Sequence, residues 1–302
     1  MPKKKTLIVI IGPTAVGKTA TCITLSQQLN APIVSADSRQ CYEKMNIGVA
    51  KPTAEEQRAA PHHLIDFVPL TTPYSAGAYQ IDALACLEKI WENNPYAILT
   101  GGSGLYINAV CKGIPYMPPV PRTYYEKRYD LYKKKGLPPL LAALKSKDPT
   151  YYTIVDKKNP TRIIRALALC EATGKTFTSF REQPLPHRNF NMITIGLQRP
   201  RALLYERINL RVDQMMEKGL WEEATSLYPY KHLPALATIG YREIFDCLNG
   251  KYSQKEAIEY IKRNTRHYAK KQGTWFRKTP NIPFFDPTNL NAISSYIQRA
   301  IA

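Results

Sequence analysis

The sequence lacks the features that mark membrane proteins, disulfide-rich proteins and metalloproteases. None of its apolar runs approaches the roughly 20 residues of a membrane-spanning helix. Its six cysteines, at positions 22, 41, 86, 111, 170 and 247, form no CxxC pair, and its five histidines form no HExxH motif. Scattered cysteines of this kind favour reduced thiols over a disulfide framework or a zinc site. We therefore expect a cytoplasmic protein with no membrane association and no metal cage of its own.

Acidic residues are also scarce. The 302 residues include 24 Asp and Glu against 42 Lys and Arg, a formal net charge of +18. The hydrophobic fraction of 44% is ordinary for a globular protein. An excess of cations favours phosphate-rich partners, of which nucleic acid is the commonest, although a generally basic surface would give the same count.

Strands and helices are predicted to alternate along the N-terminal third of the chain. Short apolar stretches bounded by turn residues predict the strands, and longer periodic segments predict the helices. This alternation is typical of an α/β fold with a P-loop-type parallel sheet flanked by helices. The predicted strands are KTLIVII (5–11), PIVSA (32–36), HLIDFV (63–68) and YAILT (96–100), and the predicted helices are KTATCITLSQQL (18–29) and QIDALACLEKIWEN (80–93).

A change of composition near residue 115 indicates an insertion that leaves the sheet. GIPYMPPVPRTYY (113–125) contains four prolines, and a stretch rich in lysine and tyrosine follows it. Strand character returns at RNFNMITIGLQ (188–198), helical segments run to about 277, and a helix is predicted at 290–301. We predict a core domain at 1–115 and 190–302, with a helical C-terminal part, and a mainly helical insertion at 116–189.

A phosphate-binding loop follows the first strand. Gly12–Thr19 (GPTAVGKT) fits the pattern G-x-x-x-x-G-K-[ST] at every fixed position and lies between a predicted strand and a predicted helix. Backbone N–H groups at a helix N-terminus bind anions, Lys18 would neutralise phosphate charge, and Thr19 would bind Mg²⁺. The predicted ligands are Gly12, Pro13, Thr14, Ala15, Val16, Gly17, Lys18 and Thr19. The motif predicts phosphate binding and leaves the reaction open.

Asp37 has two interpretations. It follows the second predicted strand, at the edge where open α/β sheets bind ligands. The spacing of Asp37 and Gln40 resembles a capping box, which would make Asp37 a cap. A carboxylate facing the phosphate site would instead serve as a general base.

The acid that usually ends a buried strand of a P-loop NTPase and holds Mg²⁺ is missing. YAILT ends in GGSGLY (101–106), and the alternative, Asp66, has only a short strand before it. Glycines at the sheet edge let a ligand approach the backbone, and Ser103 could hydrogen-bond that ligand, although a plain strand-to-helix turn looks the same. The site is therefore expected to do something other than routine ATP hydrolysis.

Several motifs, taken in order, resemble those of the tRNA dimethylallyltransferases, also called tRNA isopentenyltransferases. The resemblance covers about residues 7–277 and implies transfer of a dimethylallyl group from dimethylallyl diphosphate to N6 of the adenosine 3′-adjacent to the anticodon, with Mg²⁺. The implied partners are that diphosphate and the anticodon stem-loop of tRNA, and the protein is expected to be a monomer. The motifs are GPTAVGKT, SADSRQCYEKMNIGVAKP, HHLID, YSAGAY, GGSGLY, NPTRIIRALALCEATGK, IGYRE and RNTRHYAKKQGTWFR.

The resemblance also implies roles for individual residues. Asp37 would be the general base, Thr19 would act at the diphosphate with Mg²⁺, and Ser103 would contact the substrates near the reacting centre. Arg211 would bind the diphosphate. Where the family commonly has an arginine after the proline run, this chain has Tyr124 and Tyr125, with Arg122 and Arg128 nearby. The implied tRNA-binding residues are Asp37, Ser38, Arg39, Gln40, Ser103, Tyr125, Thr161, Arg162, Ile163, Ile164, Arg165, Thr238, Ile239, Gly240, Tyr241 and Arg242.

The segment 255–271 supports RNA binding by its charge pattern. Helical spacing predicts a buried stripe of Ile258, Ile261, Thr265 and Tyr268. The cations lie largely off that stripe, where they would face a phosphate backbone. They are Lys262, Arg263, Arg266, Lys270 and Lys271.

Three other functions account for part of the sequence. A P-loop kinase of a small metabolite would explain the phosphate loop but not the charge of +18. An enzyme that prenylates free adenine nucleotides would need no large basic surface. A non-catalytic RNA-binding NTPase would leave Asp37 and Ser103 without a role.

Overall fold

The computed structural model describes residues 5–301, so residues 1–4 and 302 of the predicted core domain lie outside the described part. The described residues form two compact units. One consists of residues 5–112 and 188–301, and the other of residues 113–187. We call the first the core unit and the second the helical unit.

A six-stranded sheet forms the centre of the core unit. Its strands are β1 (Thr6–Ile11), β2 (Ile33–Ser35), β3 (His62–His63), β4 (Tyr96–Gly101), β5 (Asn191–Leu197) and β6 (Phe284–Phe285). All neighbouring strands are parallel, and their order is β3-β2-β4-β1-β5-β6. The carboxyl ends of β2, β4 and β1 therefore lie side by side, and this edge carries the candidate site. The predicted α/β class with a parallel sheet flanked by helices is confirmed.

Helices cover the sheet and form most of the remaining secondary structure of the two units. In the core unit, α1 (Lys18–Leu29), α2 (Ala54–Ala59), α3 (Ala76–Asn93) and α4 (Gly104–Cys111) precede the helical unit. The helical unit contains α5 (Arg122–Lys135), α6 (Pro138–Lys147), α7 (Pro149–Ile154), α8 (Pro160–Thr173) and α9 (Phe177–Arg181). The core unit resumes with α10 (Arg201–Glu217), α11 (Leu220–Leu227), α12 (Tyr241–Leu248), α13 (Gln254–Phe276) and α14 (Leu290–Ile301). Within residues 5–301, no helix has the length and apolar character needed to cross a membrane.

The sheet is buried on both faces. Every residue of β1 is buried, as expected for a parallel strand covered by helices on each side. Ile8 and Ile10 belong to one apolar cluster, and Leu7, Val9 and Ile11 belong to the cluster on the other face. Alternation along the strand thus divides the core into two layers.

A third apolar cluster lies beyond the sheet edge in the core unit. It joins the segment around Met45 to α11, α12 and α13, and its buried members include Leu220, Tyr241 and Ile261. This cluster supports the residues on one side of the candidate site.

The helical unit has a core of its own, formed by the apolar faces of its helices. Ile163, Ile164 and Leu167 of α8 pack with Leu140 and Leu144 of α6. The predicted helical character of the insertion is confirmed.

The predicted strand at 63–68 is wrong beyond His63. Leu64 and Asp66 have φ values of +60° and +58°, a left-handed conformation that ends an extended strand. The Asp66 carboxylate accepts a bond from Lys51 Nζ at 2.6 Å. Asp66 therefore does not end a buried strand and does not replace the missing magnesium-binding acid.

The predicted buried stripe of α13 is partly wrong. Ile261 is buried, but Tyr268 is 41% exposed, and Ile258 and Thr265 are half-buried. Packing against α10 and α12 rotates the helix so that small alanines face its neighbours. The residues buried along α13 are Ala257, Ile261, Ala269, Gln272 and Phe276.

Candidate active site

The predicted phosphate loop connects β1 to α1 in a conformation that requires glycine at two positions. Gly17 has φ +121°, in the left-handed region that favours glycine. A Cβ on Gly12 would lie 2.9 Å from the backbone oxygen of Leu197 in β5, so a side chain would clash there. The loop leads into the N-terminus of α1 at Lys18, where the helix dipole favours anions.

Three cationic side chains surround the phosphate loop, those of Lys18, Arg207 and Arg211. None of them forms an ion pair with a carboxylate of residues 5–301. Their side chains are instead hydrogen-bonded to uncharged atoms of the loop. Lys18 Nζ donates to the carbonyl oxygens of Gly12 and Pro13, both at 2.9 Å, Arg207 Nε donates to that of Ala15 at 3.0 Å, and Arg211 donates to Thr14 Oγ1 at 3.3 Å.

The charges of this cluster are destabilised by one another and by burial. Burial, together with a smaller effect of the Arg211 charge, lowers the pKa of Lys18 to about 8, although Asp37 acts in the opposite direction. Burial also lowers the pKa of Arg211. Neighbouring cations removed from water are stabilised by an anion that binds between them. The arrangement therefore suits a ligand with several negative charges.

A cavity of about 490 Å³ opens beside the loop, which we call the anion cavity. Thr19 and Ser35 supply hydroxyl groups to its lining, and Asp37 lies on its wall. Its volume lies in the range of about 300–1,000 Å³ that is usual for small-ligand sites.

The two oxygens of Asp37 have different surroundings. Oδ1 accepts hydrogen bonds from the N–H groups of Arg39 at 2.9 Å and Gln40 at 3.4 Å, so it caps the turn that follows β2. Oδ2 lies 3.4 Å from the point where a Cβ on Gly102 would be. No hydrogen bond from residues 5–301 reaches Oδ2. The cap and the general base are therefore compatible, because each uses its own oxygen.

Ser103 joins the ends of two strands. Its Oγ accepts a bond from Ser38 N–H at 2.9 Å and donates to Ser38 Oγ at 3.0 Å. The hydroxyl predicted to contact substrate is thus engaged with the segment after Asp37. Ser103 holds Ser38, which lines a second cavity, and does not itself line either cavity.

The glycines at the end of β4 have a packing role, and Gly101 and Gly102 also line the anion cavity, so ligand approach at this edge stays a prediction. A Cβ on Gly101 would lie 2.1 Å from the Ala36 backbone oxygen, and one on Gly104 would lie 2.2 Å from Trp275 Nε1. The contact with backbone excludes a side chain at Gly101, and a side chain at Gly104 would require Trp275 to move. The glycines therefore let β2 and α13 approach the sheet edge closely.

A second cavity of about 340 Å³ adjoins the first, and we call it the acceptor cavity. Residues of the predicted tRNA-binding segment after Ala237 line it, namely Thr238, Ile239, Gly240 and Arg242. The two cavities share six residues, which are Thr14, Asp37, Val49, Ala50, Arg211 and Tyr268. Asp37 thus lies on the wall of both cavities, and each cavity is also lined by arginine side chains.

Two residues of α13 were missed as site residues by the sequence analysis. Gln272 is buried and accepts a bond from Thr14 N–H while donating to the Gly102 carbonyl oxygen, both at 2.9 Å. Tyr268, one turn earlier, lines both cavities, and burial with the nearby Asp37 charge raises its pKa to about 12. Their i, i+4 spacing was visible in the sequence, but only the fold shows which neighbours they meet.

Three of the predicted tRNA-binding side chains are corrected to packing roles. Ile163, Ile164 and Tyr241 have 0% exposure, so these side chains cannot contact RNA. Arg39 and Gln40 are also occupied within the protein. Arg39 donates to the carbonyl oxygens of Pro234 and Ala235 at 3.1 and 3.0 Å, and Gln40 Nε2 donates to those of Val49 and Ala50 at 3.3 and 2.9 Å.

The helical unit exposes the other predicted residues of α8. Thr161, Arg162 and Arg165 are exposed, and Tyr125 is half-buried. Of the two arginines near Tyr125, Arg128 forms a largely buried ion pair with Glu171, whereas Arg122 is exposed and pairs along its own helix.

The cations of α13 divide into two groups. Lys262 Nζ pairs with Asp213 at 2.7 Å, and Arg266 donates to Asn209 at 2.6 Å. Arg263, Lys270 and Lys271 are exposed. The prediction that all five face a phosphate backbone is therefore corrected for Lys262 and Arg266.

Carboxylate clusters of the kind that hold metal ions alone do not occur in the described part of the chain, where no three or more His, Cys, Asp or Glu side chains converge. Thr19 offers a single hydroxyl in the anion cavity. Such a donor set suits a Mg²⁺ ion that takes most of its ligands from phosphate oxygens and water.

The comparisons with known proteins identify one family. The family model described as IPP transferase matches residues 40–279. A protein of Bacteroides fragilis (strain YCH46) named tRNA dimethylallyltransferase 1 is 46% identical over 297 residues, which cover 98% of this chain and 99% of that protein. A protein of the same name from Phocaeicola vulgatus is 47% identical over 292 residues, or 97% of each chain.

Solved structures resemble this one over nearly its whole length. A tRNA isopentenylpyrophosphate transferase from Bacillus halodurans is 37% identical, with a TM-score of 0.73, and the match covers 99% of this chain and 97% of that one. A eukaryotic dimethylallyltransferase acting on tRNA is 26% identical, with a TM-score of 0.78 over 99% of this chain and 78% of that one.

Proposed function

Because the chain belongs to the IPP transferase family, we propose that it is a tRNA dimethylallyltransferase. It transfers a dimethylallyl group from dimethylallyl diphosphate to N6 of the adenosine 3′-adjacent to the anticodon of tRNA and releases diphosphate. The observation that carries this proposal is the position of Asp37 where the anion cavity and the acceptor cavity meet. A transfer reaction needs one site for each substrate and a group that faces both.

The anion cavity suits the diphosphate. Breaking the allylic C–O bond transfers negative charge to the leaving group. Donors already aimed at that charge stabilise the transition state more than the ground state. Lys18, Arg211 and the N-terminus of α1 supply such donors, and the absence of ion pairs to these cations leaves them available to the ligand.

Mg²⁺ fits this site through Thr19 and the diphosphate oxygens. When bound, it would neutralise charge on the leaving diphosphate. Thr19 is the residue proposed to hold the ion, through its Oγ1 atom.

The acceptor cavity suits an adenine base. An enzyme that modifies a base takes it out of its stack, and the cavity offers the Tyr268 ring and apolar atoms of Val49 and Ile239. The Asp37 Oδ2 atom would accept the proton that N6 loses as the new C–N bond forms.

Exposed and half-buried residues of both units are proposed to bind the rest of the tRNA. On the core unit they include Ser38, Thr238 and Arg242, which line the acceptor cavity, and the exposed cations of α13. On the helical unit they are Tyr125, Thr161, Arg162 and Arg165, with Arg122 as the exposed arginine near Tyr125.

We further propose that the enzyme is a cytoplasmic monomer. All six cysteines are unpaired, as in proteins of a reducing compartment. Size-exclusion chromatography with light scattering would test the monomer.

The function is tested by incubating the protein with labelled dimethylallyl diphosphate, Mg²⁺ and either unmodified tRNA or AMP. We expect label in tRNA, one diphosphate released for each group transferred, and no label in AMP. Label in AMP alone would assign the enzyme to nucleotide prenylation, and ATP consumption with a small acceptor would assign it to the kinases.

Binding of dimethylallyl diphosphate is expected to weaken as the pH rises above 8. In the free enzyme Lys18 has a pKa of about 8. The bound diphosphate favours the protonated amine and raises this pKa, so affinity is full below about pH 8 and falls above it. Titration calorimetry without tRNA at about pH 7 and about pH 9 would measure the change. Lys18→Met should bind more weakly and lose this pH dependence, and an unchanged dependence would assign it to another group.

Removing exposed cations of α13 is expected to reduce the salt dependence of tRNA binding. Each phosphate contact contributes about 0.7–0.9 to the slope of log K against log salt. Lys270→Ala and Lys271→Ala should each lower the slope, because both side chains are exposed. Lys262→Ala is the matched control, because Asp213 already holds that ammonium. Filter binding over a salt series measures the slopes, and equal slopes for all variants would contradict the assignment.

A further inference from the structure

Glu223 of α11 binds a loop of the core unit with both of its carboxylate oxygens. Oε2 accepts bonds from the N–H groups of Asn46 at 3.0 Å and Ile47 at 2.8 Å, and Oε1 accepts from that of Gly48 at 3.0 Å. Three successive N–H groups that converge in this way form a concave anion site. Here a side chain of the same chain, distant in sequence, fills that site.

The same carboxylate also binds Tyr241, which adjoins the 238–240 residues that line the acceptor cavity. Tyr241, which is fully buried, donates its hydroxyl to Glu223 Oε1 at 2.6 Å. Its ring lies against the loop so closely that a Cβ on Gly48 would be 2.6 Å from it. One carboxylate therefore ties the 46–48 loop to the 238–242 segment.

The loop held by Glu223 shapes the acceptor cavity and reaches the segment of Asp37. Gly48, Val49 and Ala50 line that cavity. The carbonyl oxygens of Val49 and Ala50 accept bonds from the Gln40 amide, and Gln40 N–H is itself bonded to Asp37 Oδ1. Hydrogen bonds and the covalent chain between them thus link Glu223 to the proposed general base.

We propose that Glu223 is a positioning residue for the acceptor adenosine, an inference that rests on the proposed function. It acts through the 46–50 loop, of which Gly48, Val49 and Ala50 line the acceptor cavity, and through Tyr241, whose ring packs against Gly48. All of its partners lie on that side of the site, whereas the phosphate loop is held by Arg199, Arg207 and Gln272. Val49 and Ala50 line the anion cavity too, but within residues 5–301 the Glu223 carboxylate bonds only to residues 46–48 and Tyr241. Glu223 should therefore affect use of tRNA far more than the binding of dimethylallyl diphosphate.

The test compares Glu223→Gln with Tyr241→Phe and with the neighbouring Glu222→Gln. A glutamine has one acceptor oxygen and cannot accept from all three N–H groups. Because a displacement of about 1 Å can cost about a hundredfold in rate, we expect Glu223→Gln to lower kcat/KM for tRNA at least about tenfold. Tyr241→Phe removes one bond and should have a smaller effect in the same direction. Glu222 is exposed, so Glu222→Gln should behave as the parent.

The decisive readout is the difference between the two substrates. The affinity of each variant for dimethylallyl diphosphate, measured without tRNA, should stay within about twofold of the parent. Equal losses of kcat/KM for tRNA and of affinity for dimethylallyl diphosphate, with a lowered Tm, would show a general structural role and overturn the proposal. An unchanged kcat/KM for tRNA would also overturn it. If Glu223→Gln does not fold, Tyr241→Phe decides alone. Prenylation of tRNA by the parent enzyme is measured first, and its absence would overturn the proposed function itself.

Discussion

Asp37→Asn is expected to lower the rate of single-turnover prenyl transfer at least about a hundredfold while keeping the fold. The lone pair of the N6 amine is delocalised into the purine ring, so the amine is a weak nucleophile and must lose a proton as the C–N bond forms. A fixed carboxylate can accept that proton, and such assistance is typically worth about 10²–10⁴ in rate. Asparagine keeps an oxygen for the capping bonds to Arg39 and Gln40 but places an amide nitrogen where Oδ2 faces the cavities.

The two roles of Asp37 predict different results for this variant. A lost cap costs about 1 kcal/mol of stability and leaves the rate of a folded enzyme nearly intact. Rapid-quench measurement of transfer, with circular dichroism and tRNA binding on the same sample, separates the two. Asp130→Asn, an exposed carboxylate of the helical unit, controls for the loss of one negative charge. Transfer within a few-fold of the parent would show that Asp37 is only a cap.

Lys18→Ala is expected to lower prenyl transfer by about 10²–10³, the usual effect of removing one donor from a developing charge. The loss should appear in the use of dimethylallyl diphosphate, because Lys18 Nζ lies at the carbonyl oxygens of the phosphate loop, in the anion cavity. Binding of tRNA in the absence of the diphosphate should remain nearly normal. Thr19→Ala should give a smaller loss, together with a higher Mg²⁺ requirement, since it removes one ligand of the ion.

Steady-state kinetics with each substrate varied in turn would measure this effect. Lys89→Ala is a suitable control because this lysine is exposed on α3 and alanine is well tolerated in helices. ATP should be neither required nor hydrolysed at a comparable rate. A Lys18→Ala variant with normal transfer, or stoichiometric consumption of ATP by the parent, would contradict the diphosphate assignment.

The helices and strands of the phosphate-loop region could be predicted because their signals are local. β1 combines β-branched residues with the unbroken apolar run of a strand buried on both faces, and the glycine loop requires its own pattern of residues. Asp66 shows the limit of such signals. An apolar stretch around it predicted a strand, but the bond to Lys51 and the left-handed backbone hold a turn there. Periodicity does not report these distant partners.

The face of α13 was predicted incorrectly for a similar reason. Both Ile261 and Tyr268 fit a helical stripe, yet neighbours that approach through Ala257 and Ala269 turn the helix so that Tyr268 faces the two cavities. Helical spacing gives the angles between side chains, and packing decides which angle points inward.

The sequence by itself determined the phosphate loop, the basic character of the chain and, through its resemblance to a family, the expected reaction. The tertiary structure decided which strand ends are neighbours. Insertion of β4 between β1 and β2 brings Asp37, Gly102 and the phosphate loop to one edge of the sheet. It also brought Glu223 and Gln272 to loops far away in sequence. These contacts depend on strand order and helix packing, which are properties of the whole chain, so no local pattern of residues could have revealed them.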